Sequence, residues 1–334
     1  MRTRATRVRR GGNRVFGGIL LILTVVVLLF GAAMYIIGII ASAEGYPIEF
    51  EYPAENPEPV EVTIRQPESE IMPEIFLNST NAILIDLESG EILLYRNGTD
   101  RIYPASLVKM MTALVAIENI GSINEPVLLR EGIFPPIHDA NATTAGFLPG
   151  ETVRAIDLLF GLLLPSGAEC AIGLAEHVAG TEQGFVALMN EKAKEIGMND
   201  TSFTNTTGLH DSRQYSTVRD MAVLLKYALE NETFERIITA SRHSTADTSG
   251  RPGGITFHST LFSRMYSPEF PGGAILGGRT GFTSQAGQNL ASFALINGRT
   301  YILVTSGAFG NHFAQALHID DAFSIYETIG TKES

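Results

Sequence analysis

Ser106 and Lys109, within Tyr103-Pro104-Ala105-Ser106-Leu107-Val108-Lys109-Met110-Met111, are a nucleophile and a base by residue type. A serine hydroxyl attacks a carbonyl only when a neighbour takes its proton. A lysine can do so once burial has lowered its pKa enough to leave a neutral amine. Three residues apart on a helix, the two side chains share a face. A helix start at Ser106 would add backbone N–H groups and a positive dipole end for a developing oxyanion. The chemistry this pair offers is acyl transfer. A Ser-x-x-Lys alone also fits an ordinary amphipathic helix with a solvated lysine, so the reading depends on partners elsewhere in the chain.

The elements that position the pair are legible. Pro104 disfavours helix at Tyr103, and Leu107, Met110, Met111, Leu114 and Ile117 then follow helical spacing. Before them, Ala82–Leu87 and Glu91–Tyr95 flank Glu88-Ser89-Gly90 as a β-hairpin. After them, Arg130–Gly150, with Pro135-Pro136, reads as loop with short strands. Helices are expected over Thr152–Leu164, stopped at Pro165-Ser166-Gly167, then Glu169–Val178, Glu182–Ile196 and Val218–Leu229, the last capped by Ser216 or Thr217. The C-terminal third turns to strands: Ala274–Gly281, then Leu290–Ile296 and Thr300–Thr305 around the hairpin signal Asn297-Gly298. An amphipathic helix, Phe313–Ile329, closes the chain. Strands at both ends with helices between them predict an antiparallel sheet carrying an inserted, mostly helical lobe.

Composition narrows the function classes. A net charge of -12 argues against nucleic acid as the partner. Cys170 is the single cysteine, set among apolar helix residues, and reads as a core thiol. The seven histidines form no metal-ligand spacing, so no metal site is expected. The first 14 residues carry six arginines and no acid, a basic cytoplasmic tail. Residues 15–43 carry no charge, and Ile19–Ile40 is an apolar run of 22 residues, about 33 Å as a helix. That exceeds the apolar region of a signal peptide and favours an uncleaved signal anchor, although Ala41-Ser42-Ala43 has the small-residue pattern of a cleavage site. Either way the remainder faces outward from the cell membrane. Residues 44–74, rich in Glu and Pro, read as a solvated linker, with a short alternating stretch at Val60–Arg65 as the rival reading.

Three short stretches then fall in order: Ser106-Leu107-Val108-Lys109, Ser166-Gly167-Ala168 and Arg279-Thr280-Gly281. They resemble the Ser-x-x-Lys, Ser-x-Asn and Lys-Thr-Gly motifs of penicillin-recognising serine enzymes. The longer stretches Asn190–Met198, Thr204–Asp211, Tyr215–Met221 and Thr280–Gly287 resemble the serine D-alanyl-D-alanine carboxypeptidases, the low-molecular-mass penicillin-binding proteins. The resemblance covers Ile75–Ile329. It implies a β-lactamase/transpeptidase-like α+β fold over residues 75–330 and a peptidoglycan stem peptide as substrate. β-Lactams would be acylating inhibitors, and no cofactor would be needed.

By that resemblance Ser106 is the nucleophile, Lys109 the base and Ser166 a proton relay. Arg279 and Thr280 hold the substrate carboxylate, and strand residues Gly281 and Phe282 bring an oxyanion-hole N–H. Two positions depart from the pattern. Ala168 replaces an asparagine whose amide it cannot imitate. Arg279 replaces a lysine; it keeps the charge but does not shuttle protons. Adjacent Glu169 either turns into the site or is a solvated or capping residue. A catalytically weakened wall-peptide-binding or regulatory protein is the rival reading. A β-lactamase is a further one, and no Glu-x-x-x-Asn loop suited to activating a deacylating water is evident.

Overall fold

The computed structural model describes residues 67, 71–72, 74–311 and 314–332, all within one compact unit, 57–334. The basic tail, the apolar run and all but the end of the linker lie outside the described residues. No described helix is long and apolar enough to cross a membrane.

Strands β1 (Asn81–Asp86), β2 (Ile92–Arg96), β7 (Glu269–Phe270), β8 (Gly273–Thr283), β9 (Gly287–Ile296) and β10 (Arg299–Ala308) form one antiparallel sheet in the order β2-β1-β10-β9-β8-β7. Residues from the two ends of the chain meet where β1 pairs with β10, Ile83 opposite Val304. Alternation along each strand sends two sets of side chains to two cores. Leu84, Leu290, Ala294, Tyr301 and Leu303 pack with Ile325 and Tyr326 of the terminal helix. Ile83, Ile85, Phe293, Ile302 and Val304 face the helical lobe. The β9–β10 turn is Asn297-Gly298, both at positive φ, as a two-residue hairpin with matching twist requires.

The lobe comprises α1 (Val108–Asn119), α2 (Phe134–Asp139), α3 (Ala155–Leu163), α4 (Ala168–Ala179), α5 (Glu182–Glu195), α6 (Val218–Leu229) and α7 (Glu232–Ile238), with hairpins β3/β4 (Pro126–Leu128, Thr152–Arg154) and β5/β6 (Arg242–Ser244, Thr256–His258). The terminal helix α8 spans Leu317–Lys332.

Four expectations change. Thr152–Arg154 is strand rather than helix, because Val153 is buried opposite Val127 and pairing satisfies its backbone. The predicted loop at 130–150 holds α2, with Pro135-Pro136 in its first turn, where a missing N–H has no helical acceptor to lose. Helix α7 was not signalled beforehand; the Asn231 side chain caps it. The packed body also reaches back to Ile71, which exchanges backbone hydrogen bonds with Tyr95, so the linker ends earlier than residue 74.

Candidate active site

Ser106 sits in a 3-10 turn, Ala105–Leu107, that runs directly into α1. Three elements hold the turn. The backbone of Ile102 pairs with Ser216, Asn289 of β9 donates to the Tyr103 carbonyl at 2.8 Å, and the loop at Gly208 presses from the side. Gly208 has φ +80°, and a Cβ there would lie 2.1 Å from the Ala105 carbonyl oxygen, so only glycine fits. Ala105 itself has φ +48° and Ser166 has φ +79°. Left-handed backbone at non-glycine residues costs on the order of 1–3 kcal/mol each and persists where surrounding structure enforces it. Both residues flank the same point: Ser106 Oγ and Ser166 Oγ are 3.1 Å apart.

Ser166 gets there because α3 ends at Leu163 and α4 begins at Ala168, two residues beyond Ser166. Cys170 is fully buried at this junction, as the sequence suggested. A Cβ on Gly161 or Gly167 would come within 2.7 or 2.8 Å of its sulfur, so those glycines let the junction close.

Lys109 is 3% exposed. Burial, and after it the nearby Arg279 charge, bring its amine down to about 7, while Glu169 and Cys170 act in the opposite sense. Its Nζ donates to the Thr207 carbonyl. A neutral amine that donates one N–H outward still has a lone pair for a proton. The loop supplying this carbonyl is shaped by Asn205, whose Oδ1 accepts from Thr207 N at 3.2 Å and Gly208 N at 2.8 Å. No hydrogen bond joins Lys109 to either serine in this state. With Ala168 unable to offer an amide, the Thr207 carbonyl is what orients the amine.

Glu169 does neither of the two things expected of it. It is fully buried in the first turn of α4, where side chains point back toward the helix start. Oε1 accepts from the backbone N–H of Ala145 (2.6 Å), Gly146 (2.8 Å) and Phe147 (3.4 Å), fastening the loop that borders the site. Burial pushes its carboxyl pKa up.

On β8, Arg279 is 1% exposed. Nη1 donates to the Leu163 carbonyl at 2.7 Å and Nε to the Ser106 carbonyl at 3.4 Å; Nη2 is buried without a partner. Burial lowers the guanidinium to about 9, which leaves it charged at neutral pH. The next residue, Thr280, has its hydroxyl 2.8 Å from that of Thr260. A Cβ on Gly281 would lie 3.1 Å from Ser106 N and 3.2 Å from the Pro104 carbonyl oxygen. The absent side chain therefore lets the strand lie against the amide that begins the helix. Gly281→Ala is expected to push β8 off Ser106 N and slow acylation by tenfold or more with little change in melting temperature, read by labelling kinetics and a thermal melt.

All seven predicted residues line one cavity of about 550 Å³. Thr207, Arg264 and His318 line it too; the sequence reading assigned none of them a role of its own, although Thr207 falls within the Thr204–Asp211 stretch. Thr207 acts through its backbone, which residue type does not reveal, and Arg264 and His318 arrive from segments with no motif of their own. No Asp or Glu is among the lining residues, although the chain is strongly acidic.

A serine paired with a second serine over a buried lysine, at the edge of an antiparallel sheet facing a helical lobe, defines a serine domain of the β-lactamase/transpeptidase class. The chain belongs to the D-alanyl-D-alanine carboxypeptidase family, Peptidase_S11, whose profile matches residues 67–310. It is 29% identical over 260 residues to the D-alanyl-D-alanine carboxypeptidase DacF of Bacillus subtilis, covering 76% of this chain and 64% of that one. It is 32% identical over 244 residues to the D-alanyl-D-alanine endopeptidase of Escherichia coli, covering 71% and 74%. It thus spans less than two thirds of the length of DacF. Among solved structures, the Streptomyces K15 DD-transpeptidase superposes with a TM-score of 0.68 at 24% identity, over 76% of this chain and 98% of that one. That likeness is one of fold. A D-alanyl-D-alanine carboxypeptidase from Mycobacterium tuberculosis superposes with a TM-score of 0.64 at 28% identity, over 78% and 96%.

Proposed function

We propose that this chain is a serine D-Ala-D-Ala carboxypeptidase that removes the terminal D-alanine from peptidoglycan stem peptides. Ser106 Oγ attacks the carbonyl carbon of the penultimate D-alanine while Lys109 Nζ takes the hydroxyl proton. The N–H groups of Ser106 and Phe282 receive the oxyanion, which Gly281 permits by its close approach. The C–N bond breaks, the leaving amine gains a proton through Ser166, and free D-alanine departs. Water then cleaves the Ser106 ester. The observation that carries this reading is the 3.1 Å contact between Ser106 and Ser166 within a cavity that Lys109 also lines. Arg279 contributes a fixed buried charge on β8, Thr280 a hydroxyl for the substrate's end. β-Lactams, which mimic the acyl-D-alanyl-D-alanine, acylate the same serine.

We also place residues 19–40 as the membrane anchor, with 75–330 on the outer side; the sequence alone supports this. Recovery in the membrane fraction after an alkaline wash supports the anchor, and recovery in the soluble fraction rules it out.

The deciding assay is release of D-alanine from a synthetic stem pentapeptide, run beside labelling with a tagged penicillin. Labelling without release sinks the carboxypeptidase reading. It would favour a wall-peptide-binding role, for which the missing amide at Ala168 is the supporting observation. Rapid β-lactam hydrolysis would instead mark a β-lactamase.

A further inference from the structure

We propose that Asn141 supplies the side-chain amide that Ala168 lacks, and that it holds the substrate peptide group joining the third stem residue to the penultimate D-alanine. This rests on the carboxypeptidase reading and adds a substrate-binding residue to it.

A peptide entering the cavity gives up water at each backbone N–H and C=O it carries in, and each then needs a partner. A primary amide suits a peptide group on both counts, with an oxygen that accepts and an NH2 that donates. Ala168 lines the cavity with a methyl group and offers neither. Among the described residues, four amide side chains line the cavity: Asn141, Gln285, Gln288 and Asn311. Gln288 is already engaged, donating to the Gln315 carbonyl at 2.9 Å and lying 2.8 Å from His318 Nδ1. Asn311 Oδ1 accepts from Ala314 N at 2.9 Å. Gln285 stands in the turn between β8 and β9. Asn141 is exposed, and its side-chain amide has no hydrogen bond to any described residue.

The backbone that carries Asn141 is fixed. Its φ is +49°, a left-handed conformation that asparagine tolerates better than most residues. Asn141 N donates to the His138 carbonyl at 2.9 Å and Ala142 N to the Ile137 carbonyl at 3.0 Å. Two residues beyond Asn141, the Thr143 carbonyl accepts from Ala168 N at 2.9 Å. This wall of the cavity is therefore bonded to the residue whose side chain lacks the amide. Farther along, one peptide group is gripped from both sides. The Gly146 carbonyl accepts from Arg251 Nη2 at 2.6 Å and Nε at 3.1 Å, while Phe147 N donates to Glu169 Oε1 at 3.4 Å. A guanidinium and a carboxylate at opposite ends of one peptide dipole strengthen both contacts. An amide presented on such a wall loses little freedom when it binds.

The leaving D-alanine carries no amide beyond the scissile one. The peptide group open to Asn141 is therefore on the acyl side, where a contact persists from the attack of Ser106 to hydrolysis of its ester.

The test compares kcat/KM for D-alanine release from the stem pentapeptide and from an analogue in which that acyl-side amide is an ester. The ester has no N–H and a weaker acceptor, and should cost the parent enzyme about tenfold, the scale of a hydrogen bond lost in a dry site. Asn141→Gly keeps the left-handed backbone and removes the amide. It should act about tenfold more slowly on the pentapeptide, treat the two substrates alike and keep the parent's melting temperature. Absence of an ester penalty in the parent, a penalty that persists in Asn141→Gly, or equal slowing of both substrates overturns the assignment, while release by the parent leaves the carboxypeptidase reading standing. No D-alanine release by the parent from either substrate overturns both.

Discussion

Ser106→Ala leaves a folded protein that takes up no labelled penicillin and releases no D-alanine. The fold should survive, because Ser106 Oγ is only half-buried and its partner is a single hydroxyl at 3.1 Å. Losing such a bond costs about 1 kcal/mol. Activity should not survive. With the nucleophile gone the acyl-enzyme cannot form, and turnover falls on the order of a millionfold, the scale seen when a serine hydrolase loses its nucleophile. Mass spectrometry of the penicillin-treated protein reads the adduct directly. An adduct on Ser106→Ala, or D-alanine release within tenfold of the parent, would refute the assignment of Ser106. A parallel loss from Ser166→Ala should be smaller, because Ser166 relays a proton and forms no covalent bond.

Lys109→Met is expected to lower the acylation rate by about 10³-fold, within the range that a general base contributes. The parent enzyme's acylation rate should rise with pH and level off above about 7, where the amine becomes neutral. In Lys109→Met that rise should be missing. A pH profile unchanged by the substitution would remove Lys109 from the base role. Stability carries the same signature. The folded-state pKa of Lys109 lies below its ordinary 10.5, so between about 7 and 10.5 the unfolded chain binds a proton that the fold does not. Unfolding free energy therefore increases with pH across that window, and below about 7 the fold has to bury a charged amine. Lys109→Met should be more thermostable than the parent at pH 6, with a gap that narrows toward pH 10. A gap that widens with pH would contradict the burial argument.

How far the site could be read in advance differs from residue to residue. Ser106 and Lys109 were legible as a pair because an apolar period and Pro104 fix where their helix starts, whereas Ser166 stood out only through its resemblance to the Ser-x-Asn motif. Thr152 was misplaced because Val153 fits a helical face and a strand equally well. Pairing with Val127 decided it, and that partner is remote in the chain. Glu169 was misjudged because nothing local says that the Ala145–Phe147 backbone needs an acceptor there. Arg279 was expected to face the substrate from its place in a motif, yet its guanidinium points inward to the carbonyl ends of α3.

By itself the sequence determined the order of elements and the strand–helix–strand plan of the domain. These follow from periodicity, turn chemistry and residue type, all of which act over a few neighbours. Only the tertiary structure decided what those residues are like once assembled. A buried amine near 7 arises from desolvation and from an arginine contributed by a distant strand. A backbone carbonyl of Thr207 takes the place of a missing side-chain amide. Solvation and long-range pairing are properties of the packed whole, and a local pattern does not encode them.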